Sequence, residues 1–556
     1  MTDVERPPVI NSLEIAQQAT LVPIEEIAAG VGLQPEEVEP YGRYKAKVSI
    51  SAIERLADRP DGKIVCVAGM TPTAAGEGKT TTLVGLTQGL GAIGEKSVAC
   101  LREPSLGPVF GVKGGAAGGG YTQIVPMEDL NLHFTGDIHA IGAANNLLAA
   151  MIDAHIHHGN KLRIDPNNIS WRRAIDMNDR ALRHNVIALG GKTNGLPRET
   201  GFDITAASEV MALMAVTRDL KDLRQRLGRI TIGYSFDGEP ITAEDLGAAG
   251  AMTVLLKDAL NPNLVQTLEG QPCLMHTGPF ANIASGNNSL VADLIGMKLG
   301  DYVITESGFG ADMGMEKFFD IVCRFGGLTP SAVVLVCTVR AIRHHAGGDD
   351  GDLEEGFVNV AHHLKTIAKF GLPAVVAVNR RPGDTDDEVE AVRRLALEAG
   401  AHGAEVNEGF EKGGKGVTKL AEAVVAACDA PSDFKMLYPD DWSIEQKIEV
   451  IAKEVYGADG VTFSPVARQK IEQFTRDGID HFPVCMAKTQ LSLSADPTLL
   501  GAPKGFEVHV RDIRAYTGAG WLVPLCGDIM QMPGLGAQPA ALNIDIDENG
   551  NTVGLF

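Results

Sequence analysis

The sequence predicts an α/β protein built on a mostly parallel sheet, and three observations carry that expectation. Short runs rich in β-branched residues end in Gly, Asn, Ser or Val at 64–69, 186–191, 230–235, 302–307, 333–339 and 374–379. Each run is continuously apolar, as strands buried on both faces must be. Longer stretches with helical periodicity separate the runs, which fits crossover connections between parallel strands. The first run also opens into a glycine-bearing loop followed by a helical pattern over 83–94. Ligands of such sheets bind beyond the carboxyl ends of the strands, so the residues after each run are the place to search.

Length and composition bound the rest. The chain has 556 residues, which at roughly 150 residues per domain is three or four domains. Forty-four per cent hydrophobic and 22% charged residues describe a globular chain rather than a disordered one. The 49 Lys and Arg against 71 Asp and Glu leave a net charge of −22. That field argues against nucleic acid or an anionic membrane as the main partner, because phosphates are bound through clustered cations. An anionic small molecule would need a local basic site.

The N-terminus carries two acids and two prolines where a secretory signal would be basic and then apolar. The most apolar stretch, 331–339, is far shorter than the ~20 residues that cross a bilayer. The eight cysteines, at 66, 100, 273, 323, 337, 428, 485 and 526, form no C-x-x-C pair. Reduced thiols in a cytoplasmic protein are therefore expected, with neither structural zinc nor a disulfide framework. Histidines 155, 157, 158, 344, 345, 362 and 363 have no acidic or cysteine partners at ligand spacing.

Composition shifts at 347–356 and 429–441, and after about 460 the apolar runs become shorter, at 482–486, 506–510, 521–526 and 541–546. The domains expected are 1–360 as a large α/β domain, 361–460 as a second α/β domain, and 461–556 as a smaller α+β domain.

The strongest local signal is TPTAAGEGKTTT at 71–82. A buried strand, a glycine loop, Gly78-Lys79-Thr80 and a helix are the parts of a phosphate-binding loop, in which backbone N–H groups and a helix N-terminus hold phosphate oxygens. Thr73 replaces the first glycine of the usual spacing. The large domain is accordingly expected to be P-loop NTPase-like. The nucleotide, ATP, would be held by Pro72, Thr73, Ala74, Ala75, Gly76, Glu77, Gly78, Lys79, Thr80 and Thr81. Lys79 would neutralise terminal phosphate charge, and the Thr80 hydroxyl would ligand Mg²⁺.

The next apolar run, 97–101, ends at Arg102-Glu103-Pro104. If the two strands are neighbours in the sheet, Arg102 emerges at the same edge as the loop, where a guanidinium can fork a carboxylate or acyl phosphate. The alternative is a structural ion pair with Glu103 or another acid. Five of the seven residues from 114 to 120 are glycine and the other two alanine, so this backbone can approach a ligand closely.

Four stretches, TPTAAGEGKTTT, REPSLGPVFG (102–111), GVKGGAAGGGY (111–121) and VPMEDLNLHFTGDIHA (125–140), resemble formate–tetrahydrofolate ligases, also called 10-formyltetrahydrofolate synthetases. WRRAIDMNDR (171–180), GGKTNGLPRETGFD (190–203) and the terminal MPGL (532–535) share the resemblance, which runs over essentially the whole chain. It implies ATP, formate and tetrahydrofolate as substrates, formyl phosphate as intermediate, and 10-formyltetrahydrofolate, ADP and phosphate as products. It also implies a homotetramer and a monovalent cation. Lys79, Arg102 and Glu103 are the expected catalytic residues, and Arg102, Lys113, Gly114, Gly115, Phe309, Arg381, Pro382 and Phe410 the expected formate and folate contacts.

The chain departs from the family pattern at two places. Cys337, Ile342, Arg343 and Ala346 stand in VCTVRAIRHHAGG (336–348), which the family writes close to VATVRALKxHGG. Arg381 stands where the resemblance expects one of two aromatic rings that enclose the folate, and Phe410 keeps the other. A guanidinium can stack on a ring.

Glu128, Asp129 and Asp137 are secondary candidates for a cation, and Glu306 for a metal or water-orienting acid. Three other readings were weighed. A GTPase switch would need a guanine-specifying N/T-K-x-D motif, which the sequence lacks. A nicotinamide dehydrogenase would need G-x-G-x-x-G at the first turn, and 71–80 lacks it. A non-catalytic folate-binding protein would not need Lys79, Thr80 and Arg102.

Overall fold

The computed structural model describes residues 11–74, 76–113, 117–348 and 350–555. At its centre is a mixed, mostly parallel sheet of twelve strands. In chain order these are β1 (Val38–Pro40), β2 (Ala46–Val48), β3 (Lys63–Gly69), β4 (Ser97–Leu101), β5 (Gly118–Gly119), β6 (Thr122–Val125), β7 (Asn263–Thr267), β8 (Pro272–Met275), β9 (Tyr302–Gly310), β10 (Pro330–Cys337), β11 (Ala374–Asn379) and β12 (Gly403–Asn407). Their spatial order is β1-β2-β7-β8-β4-β9-β3-β10-β11-β12, with β6 on β7 and β5 on β6. The neighbours from β8 through β12 all pair parallel. The pairs of β1 with β2, β2 with β7, β7 with β8, β6 with β7 and β5 with β6 are antiparallel.

The parallel strands are apolar along their whole length because both faces are covered. Val65 and Val67 of β3 join one cluster with Leu83, Leu86 and Leu90 of helix α1 (Lys79–Ala92). Ile64, Cys66 and Ala68 join the opposite cluster, which takes in Ile295 of α2 (Leu290–Leu299) and Val360 and Ile367 of α3 (Val358–Lys369). The side-chain period of two sends alternate residues to the two layers. Each fully buried Val, Leu or Ile contributes roughly 1.5–3 kcal/mol. Helix α4 (Thr418–Asp429) closes the first layer through Leu420, Ala421 and Val424.

Two apolar runs expected in this sheet lie outside it. The run at 186–191 supplies only Asn185–Ile187, a partly exposed strand that pairs with Arg198–Thr200. The run at 230–235 forms Thr231–Ser235, antiparallel to Pro240–Thr242 and Ile164–Ile169. Both are flanked by nearby strands that pair locally, which wins over a long crossover. The central run at 97–101, ending at Arg102, does lie in the sheet as β4.

A separate apolar cluster draws its buried residues from Tyr438 to Cys526. It holds Glu507–Val510 and the hairpin Asp512–Tyr516 with Trp521–Leu525. The apolar run at 482–486 contributes a single bridge, Val484 to Leu522, and 541–546 contributes a short helical turn and an exposed two-residue strand. All eight cysteines are free and buried. Among the described residues no helix is long and apolar enough to cross a membrane.

The C-terminal segment is fastened to the large sheet by a fully buried ion pair. Lys488 Nζ lies 2.8 Å from Asp312 Oδ2, two residues beyond β9, and also donates to the Ser492 carbonyl at 2.6 Å. Removing one partner of a buried pair strands the other charge, at a cost of about 3–5 kcal/mol. Lys488→Met is expected to lower the thermal unfolding midpoint by a loss of that size, read by calorimetry, and Asp312→Asn combined with Lys488→Met should recover part of it.

Candidate active site

The loop after β3 is held by residues at the carboxyl ends of its neighbours. Gly78 sits at φ +75°, a conformation open to glycine, and a side-chain carbon there would collide with Asn379 Nδ2. Asn379, the last residue of β11, donates to the Glu77 carbonyl at 2.8 Å. Asn407, the last residue of β12, donates to Thr82 Oγ1 at 2.9 Å, and that hydroxyl donates to the Gly78 carbonyl at 3.0 Å.

The Glu77 side chain turns inward and is buried. Its carboxylate accepts from Thr73 N at 2.9 Å, Thr73 Oγ1 at 2.8 Å and Thr338 Oγ1 at 2.7 Å. Burial alone would raise its pKa. The hydrogen bonds from Thr338 and Thr73, with Lys79 nearby, outweigh burial and hold it below the ordinary value. Glu77 thus staples the loop rather than facing a ligand.

The base of the loop is gripped from the other side. Asn359 donates to Thr71 Oγ1 at 2.9 Å and accepts from Thr71 N at 3.1 Å. His363 Nε2 lies 3.0 Å from the same hydroxyl. His345 Nε2 donates to the Thr71 carbonyl at 2.9 Å, and its Nδ1 accepts from Gly501 N at 3.1 Å. Asn359 also donates to the Gly501 carbonyl at 2.8 Å. Two of the histidines without metal-ligand spacing, His345 and His363, are therefore structural clamps on the loop.

The expected nucleotide contacts sit as follows. Pro72 is buried, Thr73, Gly78, Lys79, Thr80 and Thr81 are half-buried, and Ala74 and Gly76 are exposed. The Lys79 stem passes Gly69, where an added side-chain carbon would lie 3.1 Å from Lys79 Cδ and 3.4 Å from the Phe309 carbonyl. Phe309, at the end of β9, has φ +60°, a strained value for a non-glycine residue. Ala75, Gly114, Gly115 and the side chain of Lys113 lie outside the described residues.

Arg102 emerges at the end of β4, separated from β3 by β9. It is paired, though not with Glu103. Arg102 N and Nε donate to Glu306 Oε1 of β9 at 2.8 and 3.1 Å, and Nη2 lies 3.5 Å from Oε2. The arginine keeps 28% of its side chain exposed against 5% for Glu306. Glu103 turns the other way, into a cavity of about 380 Å³ that His133, His139 and Asp176 also line. Its Oε2 is buried with no hydrogen-bond partner among the described residues. Burial, and then the neighbouring Asp137, push its pKa well above the usual carboxylate range.

The expected folate contacts Arg381 and Phe410 come from two separate stretches, 378–384 and 408–415. Tyr121 N donates to the Phe410 carbonyl at 2.9 Å, and the Phe410 ring, about half exposed, lies against Gly119. Gly120, at φ +58°, leaves no room for a side chain against the Phe410 carbonyl. The glycine-rich stretch and the 408–415 stretch are therefore one surface. Arg380 Nη2 pairs with Asp386 at 2.7 Å, and its Nη1 lies 3.8 Å from Glu408. Arg381 Nη2 donates to the Gly76 carbonyl of the phosphate loop at 3.0 Å, and Pro382 is exposed. Trp171, Arg172 and Asp203 instead line a separate cavity of about 590 Å³ with Lys470 and Arg514.

Residues 10–556 match the family described as formate–tetrahydrofolate ligase. The chain belongs to the formate–tetrahydrofolate ligase family. A relative of that name from Desulforamulus reducens is 57% identical over 98% of this chain and 99% of its own length. Relatives of the same name from Roseiflexus sp. and Cutibacterium acnes are 54% and 53% identical, each over 98% of this chain and 100% of its own. Within this member of the ligase family, Thr338, Asn359, Asn379 and Asn407 are site residues that motif reading passed over. Their signal was position: Asn379 closes a predicted apolar run, and Thr338 lies within one, next to its end.

Glu77 makes the loop acid-sensitive. Its folded-state pKa lies below the ordinary 4.5, so its stabilising contribution is complete above pH 4.5 and is lost as pH falls through the folded value. A Glu77→Gln variant should show weaker nucleotide binding at neutral pH and a shallower fall of the thermal midpoint below pH 4.5, measured by scanning across an acid pH series.

Proposed function

We propose that this chain ligates formate to tetrahydrofolate at the expense of ATP, through formyl phosphate, and that the edge formed by β4, β9 and β3 is where it does so. The observation that carries this reading is that Arg102 follows β4 and the loop leading to Lys79 follows β3, parallel strands two spacings apart, roughly 10 Å, with Glu306 on β9 between them and paired to Arg102. The strand, the clamped loop and α1 support a P-loop NTPase-like use of the large domain. Residues 361–460 would supply the folate side through Arg381, Pro382 and Phe410, and 461–556 would form the smaller domain.

Formate has no leaving group and must be activated before an amine can attack it. A formate oxygen attacks the γ-phosphorus of ATP, ADP departs, and formyl phosphate forms. The N10 amine of tetrahydrofolate then attacks the formyl carbon, the C–O bond to phosphate breaks, and the amine loses its proton. Lys79 and the loop amides neutralise phosphate charge in the first step. The exposed part of Arg102 holds the acyl phosphate, and Glu306 fixes the guanidinium's plane. These are positioning and electrostatic contributions, so no side-chain nucleophile is required.

When bound, Mg²⁺ would supply charge neutralisation to the nucleotide's phosphates. The described residues hold no group of three or more His, Cys, Asp or Glu side chains arranged for a metal. That fits a cation that arrives with the nucleotide and takes Thr80 as its protein oxygen. Glu103 turns away from the Arg102 edge into a buried cavity, so the geometry does not support contact with formate.

ADP release should require formate and tetrahydrofolate together, with omission of either reducing it to background. Lys79→Ala and Arg102→Lys should each lower kcat by ~10²–10³. A near-normal rate in Arg102→Lys would remove that residue from the mechanism.

A further inference from the structure

Arg381 touches the loop after β3, and its neighbour Arg380 reaches toward the stretch that bears Phe410. Arg381 Nη2 donates to the Gly76 carbonyl at 3.0 Å, on the outer wall of the loop that ends in Lys79. Its backbone N donates to Asp384 Oδ2 at 2.7 Å, which fixes the turn that carries it. Its Nε is buried and has no hydrogen-bond partner among the described residues.

The next residue back, Arg380, reaches toward Glu408, two positions before Phe410. The turn bearing Arg381 is thus tied to the phosphate loop on one side and to the Phe410 surface on the other. An aromatic ring at position 381 could stack on a folate but has no donor for a loop carbonyl. A guanidinium offers a flat face and several N–H groups at once.

We infer that Arg381 couples the nucleotide and folate subsites. With the loop set around phosphates, the Gly76 carbonyl holds the guanidinium in one orientation, and its face is ready for the pterin before the folate arrives. Phosphates bound to the loop would stiffen the Gly76 carbonyl and the guanidinium it holds, so an arriving folate would have less left to order. The coupling is reciprocal: folate favours the loop conformation that binds nucleotide by the same factor. It would load the acyl acceptor after the acid has been placed beside ATP. The inference rests on the ligase reading above and adds an order of binding to it.

The test compares tetrahydrofolate dissociation constants, by calorimetry under anaerobic conditions, with and without a saturating non-hydrolysable ATP analogue and Mg²⁺. Wild type is expected to bind folate about five-fold tighter or better with the analogue present. Arg381→Phe should still bind folate while the ratio falls to one. Arg381→Lys, which keeps charge without the planar fork, should also lose most of the ratio. A merely structural role for Arg381 would weaken folate binding equally in both conditions and leave the ratio unchanged. An unchanged ratio in Arg381→Phe, or a ratio of one in wild type, overturns the inference and leaves the ligase reading standing. Failure of wild type to bind folate in either condition overturns both.

Discussion

The site exists because the parallel strands bury both of their faces. Once helices cover the two sides of the sheet, the strand ends are where its backbone can open toward a ligand, and all the carboxyl ends from β8 to β12 point the same way. Polar residues from five neighbouring strand ends, Arg102, Glu306, Thr338, Asn379 and Asn407, therefore converge on one edge although they are spread over more than half the chain. The β3 loop is the target of three of them, Thr338, Asn379 and Asn407, while Arg102 and Glu306 pair with each other beside it. Its shape follows from an inward-facing carboxylate, Glu77, whose desolvation is offset by three hydrogen bonds.

Much of this was legible in the residues. The strand, glycine loop and helix around Lys79 were readable because three local signals agree there. Arg102 was placed at the same edge on the condition that β3 and β4 are sheet neighbours, which they are not, although both are parallel strands of one sheet whose carboxyl ends share that edge. The structure puts β9 between them, and that intervening strand supplies the Glu306 that orients the arginine. Sequence reading named both residues but had no means to pair them, since they are 204 positions apart. The runs at 186–191 and 230–235 looked like sheet strands because apolar composition does not say which partner is nearest.

Glu103 illustrates a different limit. Adjacent residues in an extended segment point in opposite directions, so placing Arg102 at the phosphate edge sends Glu103 behind it, into a buried cavity. Neighbours in sequence need not share a task. Conversely, Gly120 and Phe410 share a surface across a separation that no local pattern records. The clamp on Thr71 was equally hidden: His345 and His363 were recognisable as poor metal ligands, and their real work depends on Asn359 and Gly501.

That clamp has a consequence for the life of the polypeptide. Gly501 lies more than 400 residues downstream of Thr71, so a nascent chain emerges from the ribosome with its phosphate cradle assembled on one flank only. A chain cut short before residue 501 keeps Thr71 and its loop but lacks the Gly501 strut on which His345 and Asn359 rest.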